Sequence, residues 1–352
     1  MNASRPLLVS NDADLIDEIL RLAAANGVEV HLAADAESAR SRWSLAPLVI
    51  VGSDAATHLA NSRMGRRSGV VLVSYGPTSD DWMQAVALGA EHVVQLPDAE
   101  RWLVDRIAVS GEGTPRDGRV VSIVGCGGGA GASTFAVTLA LAAAARSLRV
   151  LLIDADPTGG GLDVLLGIEN AAGIRWPDLV ETRGRLGAPS LDEALPHVSG
   201  VAVLSWGREG QAVIAPDVIA AVLDAGTRGY DLVVVDVPRH LDSATELVLS
   251  RSDETLIVAI NHVRATAASA RLAARLEGRC PSLGLVLRTD ARGVGDDVVR
   301  QALDLPVVGR LPTAASLATR SDEGDPPSLR DAYGRACVAC LRSMASTLGR
   351  VA

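Results

Sequence analysis

The sequence predicts an α/β protein of two domains, in which mostly parallel, doubly wound sheets are covered by helices. Three observations lead to this prediction. Short apolar runs alternate with helical segments along the whole chain, which is typical of βα units. The 352 residues suffice for two domains with separate cores. Hydrophobic residues make up 48% of the chain and aromatic residues only 3%, so the cores consist mainly of Ala, Val, Leu and Ile, as in parallel sheets.

Residues 1–109 contain five apolar runs that predict a parallel five-stranded sheet. The runs are PLLVS, VEVHLA, PLVIVG, GVVLVSYG and EHVVQLP. The helical segments are DLIDEILRLAAANG, AESARSRWSLA, DDWMQAVALGA and DAERWLVDRIAVS. We therefore expect the first domain to end near residue 109.

A polar segment, SGEGTPRDGR, separates this domain from a second α/β series. It is rich in Gly and Pro and lacks periodicity, so we assign a linker to residues 110–117. The second series, in residues 118–352, has seven apolar runs, namely RVVSIVG, RVLLIDAD, VAVLS, YDLVVVDVP, ETLIVAI, LGLVLRT and PVVGRLP. These lengths fit a single large doubly wound domain.

The charge of the chain limits its partners. A net charge of −9 and a pI near 5.2 disfavour a nucleic-acid partner. The sequence contains no lysine, so all 33 basic residues are arginine, and any side-chain cation that binds phosphate is a guanidinium group. We find neither a secretory signal nor an uncharged apolar segment long enough to cross a membrane, and expect a cytoplasmic protein.

The stretch VVSIVGCGGGAGASTFAVTLA, residues 120–140, predicts an anion site. Its first residues have the pattern of a buried strand, GCGGGAGAST has that of a turn, and a strong helix pattern follows. A glycine loop between a strand and a helix N-terminus directs backbone amides and the helix dipole at an anion. The candidate nucleotide-binding residues are Gly127, Gly128, Gly129, Ala130, Gly131, Ala132, Ser133 and Thr134.

The loop alone leaves two classes of nucleotide open. Read as a dinucleotide fingerprint, Gly125, Gly127 and Ala130 satisfy GxGxxA. Asp154 then ends the next strand, where NAD-dependent oxidoreductases have a ribose-binding acid. Read as a mononucleotide loop, residues 127–134 bind phosphate through their amides, with the Ser133 hydroxyl as a Mg²⁺ ligand.

The stretch GGGAGAST resembles the deviant Walker A motif of the ParA/MinD ATPases, whose pattern is KGGxGK followed by Thr or Ser. Three later segments are similar to motifs of that superfamily and occur in the same order. LLIDADPTGGGLDVLLG resembles its DxDP switch, YDLVVVDVPRHL resembles its Walker B strand, and VVGRLPTAASLATRSDEG resembles the strand and loop before its last helices. The resemblance implies a P-loop NTPase domain.

The same resemblance implies ATP and Mg²⁺ as cofactors and gives roles to four side chains. Asp156 would act in catalysis by orienting the attacking water. Ser133, Asp154 and Asp236 would hold Mg²⁺, directly or through water.

The segment GIRWPDLVETRGRLGAPSLDEALPHVSGVAVLS makes the resemblance more specific. It is similar to actinobacterial septum-site-determining proteins of the CpaE/TadZ branch of the MinD superfamily, whose members carry a receiver-like, flavodoxin-like N-terminal domain. The resemblance implies an ATP-dependent dimerisation and localisation switch in septum-site determination or Tad-type pilus positioning. It also implies a homodimer that acts with division-site or pilus-assembly proteins and reaches the membrane, a pole or the septum through partners.

The chain departs from the superfamily's pattern at both lysines, which are Gly127 and Ala132 here. Losing a hydrogen bond to a charged group weakens binding by about 1.5 to 3 kcal/mol. Losing a cation that acts on the transition state slows phosphoryl transfer by about 10³ to 10⁵. We therefore expect ATP binding with at most weak hydrolysis. Two alternatives stay open: an active ATPase that uses an arginine such as Arg239, and a nucleotide-free scaffold. The specificity for the nucleotide's base also stays open, because Arg288 replaces the superfamily's base-binding Asn.

The receiver-like domain lacks the residues for phosphoryl transfer. An active receiver has an acidic pair after its first strand, an aspartate that ends its third, and a lysine before a proline after its fifth. Asn11 and Asp12 match the pair, but Gly52 and Leu96 stand at the other two positions. Asp54, two residues past Gly52, would substitute for the aspartate if the register slipped, but we favour its interpretation as a solvated loop acid. The domain is expected to bind a partner or its own copy.

The C-terminal segment DAYGRACVACLRSMASTLG is amphipathic and contains Cys337 and Cys340. A lone CxxC is a weak signal for metal binding, so we expect both thiols to be buried as small hydrophobic groups. The apolar side of the segment is mostly Ala and Cys. We therefore expect a helix that closes the fold rather than one that lies on a membrane.

Overall fold

The computed structural model describes residues 5–62, 64–111, 116–180, 186–207, 214–314, 317, 319–320 and 324–348. The chain divides into two compact units, Met1–Pro115 and Arg116–Ala352. Parts of four segments discussed above lie outside the described residues. They are 112–115 in the linker, 181–185 in the segment that begins GIRWP, 315–316, 318 and 321–323 in the segment that begins VVGRLP, and 349 in the segment that begins DAYGR.

The first unit is a parallel five-stranded sheet between two layers of helices, which confirms the predicted fold class. Its strands are β1 (Leu7–Val9), β2 (His31–Ala33), β3 (Val49–Gly52), β4 (Val70–Ser74) and β5 (His92–Gln95). Its helices are α1 (Ala13–Ala24), α2 (Ala36–Trp43), α3 (Ser53–Asn61), α4 (Ser79–Leu88) and α5 (Glu100–Gly111). The strand order β2-β1-β3-β4-β5 is the flavodoxin-like order.

Local signals explain some helices of this unit better than others. Helix α1 begins where the Asp12 carboxylate accepts hydrogen bonds from the amides of Asp14 and Leu15, which caps the helix. Helix α3 was not predicted, because it follows β3 without an intervening turn and has only a short apolar pattern. Burial of Ala56 and Leu59 against the sheet fixes it in place.

The second unit is an eight-stranded sheet that is parallel except at one edge. Its strands are β6 (Arg119–Gly125), β7 (Val150–Asp154), β8 (His197–Val198), β9 (Val201–Leu204), β10 (Leu232–Val237), β11 (Glu254–Ile260), β12 (Leu283–Thr289) and β13 (Val307–Pro312). They are arranged in the order β13-β12-β11-β6-β10-β7-β9-β8. All seven predicted strands are present. The antiparallel edge strand β8 was missed, because two residues are too few to show a period.

Helices cover both faces of this sheet. They are α6 (Ala132–Ala144), α7 (Leu162–Leu165), a 3₁₀ helix (Trp176–Leu179), α8 (Ala188–Ala194), α9 (Pro216–Gly229), α10 (Ser243–Arg251), α11 (Val263–Leu276), α12 (Asp296–Leu303) and α13 (Ala332–Leu348).

Helix α6 lies at the centre of the core on one face, and α13 packs against it. Residues 135–143 of α6 are all buried. The buried side of α13 includes Tyr333, Cys337 and Cys340, so the expectation of a fold-closing helix with buried thiols is confirmed. In the part of the chain that the structure describes, no helix combines the length and the apolar character needed to cross a membrane.

The strand order does not fit a dinucleotide-binding site. In that fold, the strand before the glycine loop is adjacent to the next strand of the chain, whose terminal acid binds ribose. Here β10 lies between β6 and β7, and Asp154 pairs in register with Asp236 of β10. The interpretation of Gly125, Gly127 and Ala130 as a NAD fingerprint is therefore not supported by the sheet.

Strand β13 and helix α13 approach each other so closely that position 309 requires glycine. A Cβ atom added to Gly309 would overlap the Sγ atom of Cys340, a residue that is 2% exposed.

We expect Gly309→Ala to lower the free energy of unfolding by about 1 to 3 kcal/mol, because overpacking a close contact forces side chains or backbone to shift. Urea denaturation measures this loss. Adding Cys340→Ala should recover part of it, because that change removes the overlapping atom. At Gly160 a Cβ atom meets nothing within 4 Å, so Gly160→Ala is the control. Equal losses at both glycines would contradict the prediction.

Candidate nucleotide site

A glycine loop joins β6 to α6 at the carboxyl edge of the sheet. The amide of Ala130 donates to the carbonyl of Gly127 at 3.1 Å, so the chain turns tightly. Gly129 and Gly131 have φ angles of +73° and +91°, in the left-handed region that glycine tolerates best. No side chain caps the start of α6, so its first amides are directed at whatever lies beyond the loop.

The loop borders a cavity of about 330 Å³, which we call the nucleotide cavity. All eight predicted nucleotide-binding residues, 127–134, line this cavity. Asp156 and Asp236 line it as well, together with Arg239. Asp154 is absent from the described lining residues. The structure therefore brings together every predicted site residue except Asp154.

Asp236 lies near the end of β10, and its side chain is 6% exposed. Burial raises the pKa of its carboxyl to about 7, a hydrogen bond with Ser133 opposes this shift, and the charges of Asp154 and Asp156 add to it. No basic side chain among the described residues contributes to the shift. A buried carboxylate without a cationic partner is costly, so this position favours a bound cation.

Asp154 ends β7 and is held by the protein itself. Its Oδ1 accepts a hydrogen bond from the amide of Asp156 (3.1 Å), and its Oδ2 accepts from the amide of Leu162 (3.0 Å) and the hydroxyl of Ser205 (3.3 Å). Burial raises its pKa to about 6, although these hydrogen bonds oppose the shift. The carboxylate thereby fixes both ends of the segment between β7 and α7.

Asp156 differs from Asp154 because it is partly exposed and faces the cavity. Its Oδ1 accepts hydrogen bonds from the amide and the hydroxyl of Thr158, at 2.9 and 2.7 Å. Its Oδ2 takes none from the described residues, so one carboxylate oxygen remains for water or ligand.

A set of buried polar groups behind Asp154 was not found from the sequence. The Ser205 hydroxyl also lies 3.1 Å from Oδ1 of Asp163, a carboxylate 3.9 Å from Nε of Arg175. The indole N–H of Trp176 donates to the backbone carbonyl of Asp154 at 2.7 Å. The only sequence signal was the Trp-Pro dipeptide, which marked the resemblance but gave no contact.

Arg288, at the end of β12, holds the glycine loop from another side. Its Nη1 donates to the carbonyls of Gly129 (2.9 Å) and Ala130 (3.2 Å). The sequence placed this residue at the superfamily's base-binding position. In the structure its guanidinium group stabilises the path of the loop instead.

In the first unit, the Asp54 carboxylate binds the two residues that follow β1. Its Oδ1 accepts from the Ser10 hydroxyl (2.8 Å) and its Oδ2 from the Asn11 amide (2.7 Å). A Cβ atom at Gly52 would overlap the Asp54 carboxylate, so the two positions compete for the same space. Asp54 is exposed, as expected of a solvated acid, but it belongs to the first turn of α3 and not to a loop.

Two domain families match the chain. The CobQ/CobB/MinD/ParA nucleotide binding domain matches residues 121–327. The Rv3660c-like, CheY-like N-terminal domain matches residues 9–118. The predicted fold class and the predicted resemblance to the MinD/ParA superfamily are confirmed.

Two relatives illustrate the match. The uncharacterized protein Rv3660c of Mycobacterium tuberculosis (strain ATCC 25618 / H37Rv) is 40% identical over 319 residues, which are 89% of this chain and 90% of that protein. This similarity supports the actinobacterial type. The putative septum site-determining protein MinD of Emiliania huxleyi is 24% identical over 224 residues, which are 60% of this chain and 81% of its own length.

Two experimental structures share the fold of the second unit. The MinC:MinD cell division protein complex of Aquifex aeolicus matches with a TM-score of 0.56 and 22% identity, over 65% of this chain and 96% of its own. The septum site-determining protein MinD of Pyrococcus horikoshii OT3, complexed with Mg-ADP, matches with a TM-score of 0.54 and 19% identity, over 66% and 98%. At these identities the likeness shows the fold alone.

The raised pKa of Asp236 predicts a pH dependence of stability in the absence of divalent cations. Its folded pKa of about 7 exceeds the ordinary value of 3.8, so between these values the folded state binds more protons than the unfolded state. The free energy of unfolding therefore falls as the pH rises through this window. Asp236→Asn does not titrate and should gain about 1 to 3 kcal/mol relative to wild type between pH 5 and pH 8.

Urea denaturation with a chelator at both pH values measures this gain. Asp217→Asn, at an exposed position in the first turn of α9, is the control and should show no such trend. An Asp236→Asn difference from wild type that is the same at both pH values would contradict the predicted shift.

The contacts of Arg288 predict its effect on loop mobility. Arg288→Met keeps the length of the side chain and removes its donors, so amide exchange in residues 129–133 should become faster. The loss of stability should be about 1 kcal/mol for each hydrogen bond. Hydrogen exchange followed by mass spectrometry measures the rate, and Arg292→Met at an exposed position serves as the control. Unchanged protection of the loop would show that these contacts do not order it.

Proposed function

We propose that this chain is an ATP- and Mg²⁺-dependent dimerisation and localisation switch with weak or no hydrolysis. The chain belongs to the CobQ/CobB/MinD/ParA nucleotide-binding family and carries an Rv3660c-like, CheY-like N-terminal domain. The cavity in which the glycine loop, Ser133 and Asp236 come together carries the proposal.

The loop supports phosphate binding without a side-chain cation of its own. A Cβ atom at Gly127, Gly128 or Gly129 would meet nothing within 4 Å, so this part of the backbone is open to a ligand. The uncapped amides of α6 and the helix dipole stabilise negative charge at the same place. Together these groups bind phosphate through the backbone, so binding survives the loss of the superfamily's lysines.

The side chains at the cavity fit a magnesium ion. Asp236 supplies a buried carboxylate without a cationic partner among the described residues, and Ser133 supplies a hydroxyl beside it. Oxygen ligands of this kind suit Mg²⁺, which binds proteins through few carboxylates and keeps several waters. Bound Mg²⁺ would neutralise phosphate charge. We assign Ser133 and Asp236 to the ion, and Asp154 to the loop that surrounds it.

Weak hydrolysis follows from the shortage of cations. Gly127 and Ala132 replace the two lysines, and Nη1 of Arg288 is bound to loop carbonyls. Asp156 lies at the cavity with one free carboxylate oxygen and can orient a water. An oriented water gains less when no lysine of the glycine loop acts on the charge that develops on the phosphoryl group.

The switch acts as a homodimer in septum-site determination or Tad-type pilus positioning, as a member of the CpaE/TadZ-like branch. Division-site or pilus-assembly proteins recruit it from the cytoplasm to the membrane, a pole or the septum. The MinD-like relatives support this role, because one is a putative septum site-determining protein and another forms a complex with MinC. The first unit, which has Gly52 where a receiver has its phosphoacceptor aspartate, supplies a binding surface.

A second candidate function is an active ATPase. The observation in its favour is Arg239, an arginine that follows β10 and lines the nucleotide cavity. This guanidinium group would then act on the transition state in place of lysine.

Calorimetry with Mg·ATP tests the proposal on the full-length protein. Wild type should bind saturably, and Ser133→Ala and Asp236→Ala should each weaken binding about tenfold or more, because each removes a ligand of the ion. Ser250→Ala and Asp217→Ala, at exposed positions of α10 and α9, are the matched controls. Phosphate release in the same samples should not exceed that of a protein-free control.

Each of the other outcomes of this experiment would support a different function. Sustained phosphate release that Arg239→Gln abolishes would support the active ATPase. Absence of ATP binding by wild type would overturn the proposal and identify the chain as a nucleotide-free scaffold. Saturable binding of NAD without binding of ATP would restore the oxidoreductase interpretation.

A further inference from the structure

A second cavity, of about 600 Å³, adjoins the glycine loop. Its walls are the first half of the loop, Arg239 after β10, and one face of α11. Arg264 and Arg271 project from that face and lie two helical turns apart. Three alanines between them, Ala265, Ala267 and Ala268, also line the cavity. We call this space the arginine cavity.

The arginine cavity has no charge of opposite sign. None of its described lining residues is acidic, although the chain as a whole has a net charge of −9. None of the ion pairs among the described residues involves its three arginines. Other exposed arginines of the same unit are paired with carboxylates, as Arg251 is with Asp224. Like charges around one space repel each other, and an anion in that space would offset the repulsion.

The arginine cavity continues from the nucleotide cavity. Gly127, Gly128, Ala130 and Arg239 line both spaces. Arg239 is the only side-chain cation among the described residues that line the nucleotide cavity. A chain of phosphates that begins at the loop amides and extends past Gly127 and Gly128 therefore enters the arginine cavity.

We propose that the arginine cavity binds the terminal phosphate of a nucleoside triphosphate whose other phosphates lie at the glycine loop, and that it thereby distinguishes ATP from ADP. This inference rests on the proposed function. Guanidinium groups suit the task, because they stay charged at all physiological pH values and donate paired hydrogen bonds to phosphate. The contact that a lysine makes in the superfamily's loop is supplied here by arginines from the segment after β10 and from α11.

The test compares Mg·ATP with Mg·ADP by calorimetry on the full-length protein. Wild type should bind ATP more tightly than ADP. Arg264→Gln and Arg271→Gln should each weaken ATP binding about tenfold, as expected for a lost hydrogen bond to a charged group, and should leave ADP binding nearly unchanged. Both positions are exposed, so folding should persist, and the thermal midpoint checks this. Arg271→Lys should retain part of the ATP affinity.

Arg275→Gln is the matched control, because Arg275 is exposed on the same helix and lines neither cavity. Equal affinity of wild type for ATP and ADP would overturn the inference and leave the proposed function standing. Two other results would also overturn the inference and leave the proposed function standing. In the first, the variants at 264 and 271 bind ATP like wild type, and in the second, Arg275→Gln loses as much ATP affinity as they do. Absence of binding of either nucleotide would overturn the proposed function and this inference together.

Discussion

Two carboxylates buried side by side at the ends of adjacent strands are the constraint on which the nucleotide site depends. Asp154 of β7 and Asp236 of β10 pair in register and are 2% and 6% exposed. Like charges in such surroundings are unfavourable unless each finds partners. Backbone amides and a hydroxyl donate to Asp154, whereas among the described side chains only Ser133 binds Asp236, which lines the cavity. One acid therefore serves the fold, and the other is available to a ligand.

This difference organises the surrounding segments. The amides that bind Asp154 belong to the segment that follows β7, so the carboxylate sets the path by which Asp156 reaches the cavity. Ser205 and Trp176 hold the same strand end from β9 and from the 3₁₀ helix. The charges of the two acids also affect each other, because Asp154 raises the pKa of Asp236. Neutralising the charge at Asp236 therefore changes the electrostatic surroundings of the segment that Asp154 holds.

The sequence predicts best what depends on neighbouring residues. Every predicted strand formed, because an apolar run between turns is a local property, and residues 127–131 form the loop for the same reason. Strand β8 and helix α3 were missed because short segments carry too little periodicity. The inward orientation of Asp154 and the contacts of Arg288 were beyond prediction, because their hydrogen bonds join residues up to 51 and 159 positions apart. Only the folded sheet brings those residues together.

Helix α6 and the segment after β7 border the same cavity but differ in how tightly the protein encloses them. It begins at the nucleotide cavity, and residues 135–143 are enclosed by the sheet and by α13. Because protein interiors are close-packed, such a helix cannot shift without rearranging the core. Residues 157–160, on the segment that Asp154 holds at both ends, are exposed. A group bound in the cavity would therefore displace residues 157–160, which no packed core encloses, more easily than helix α6.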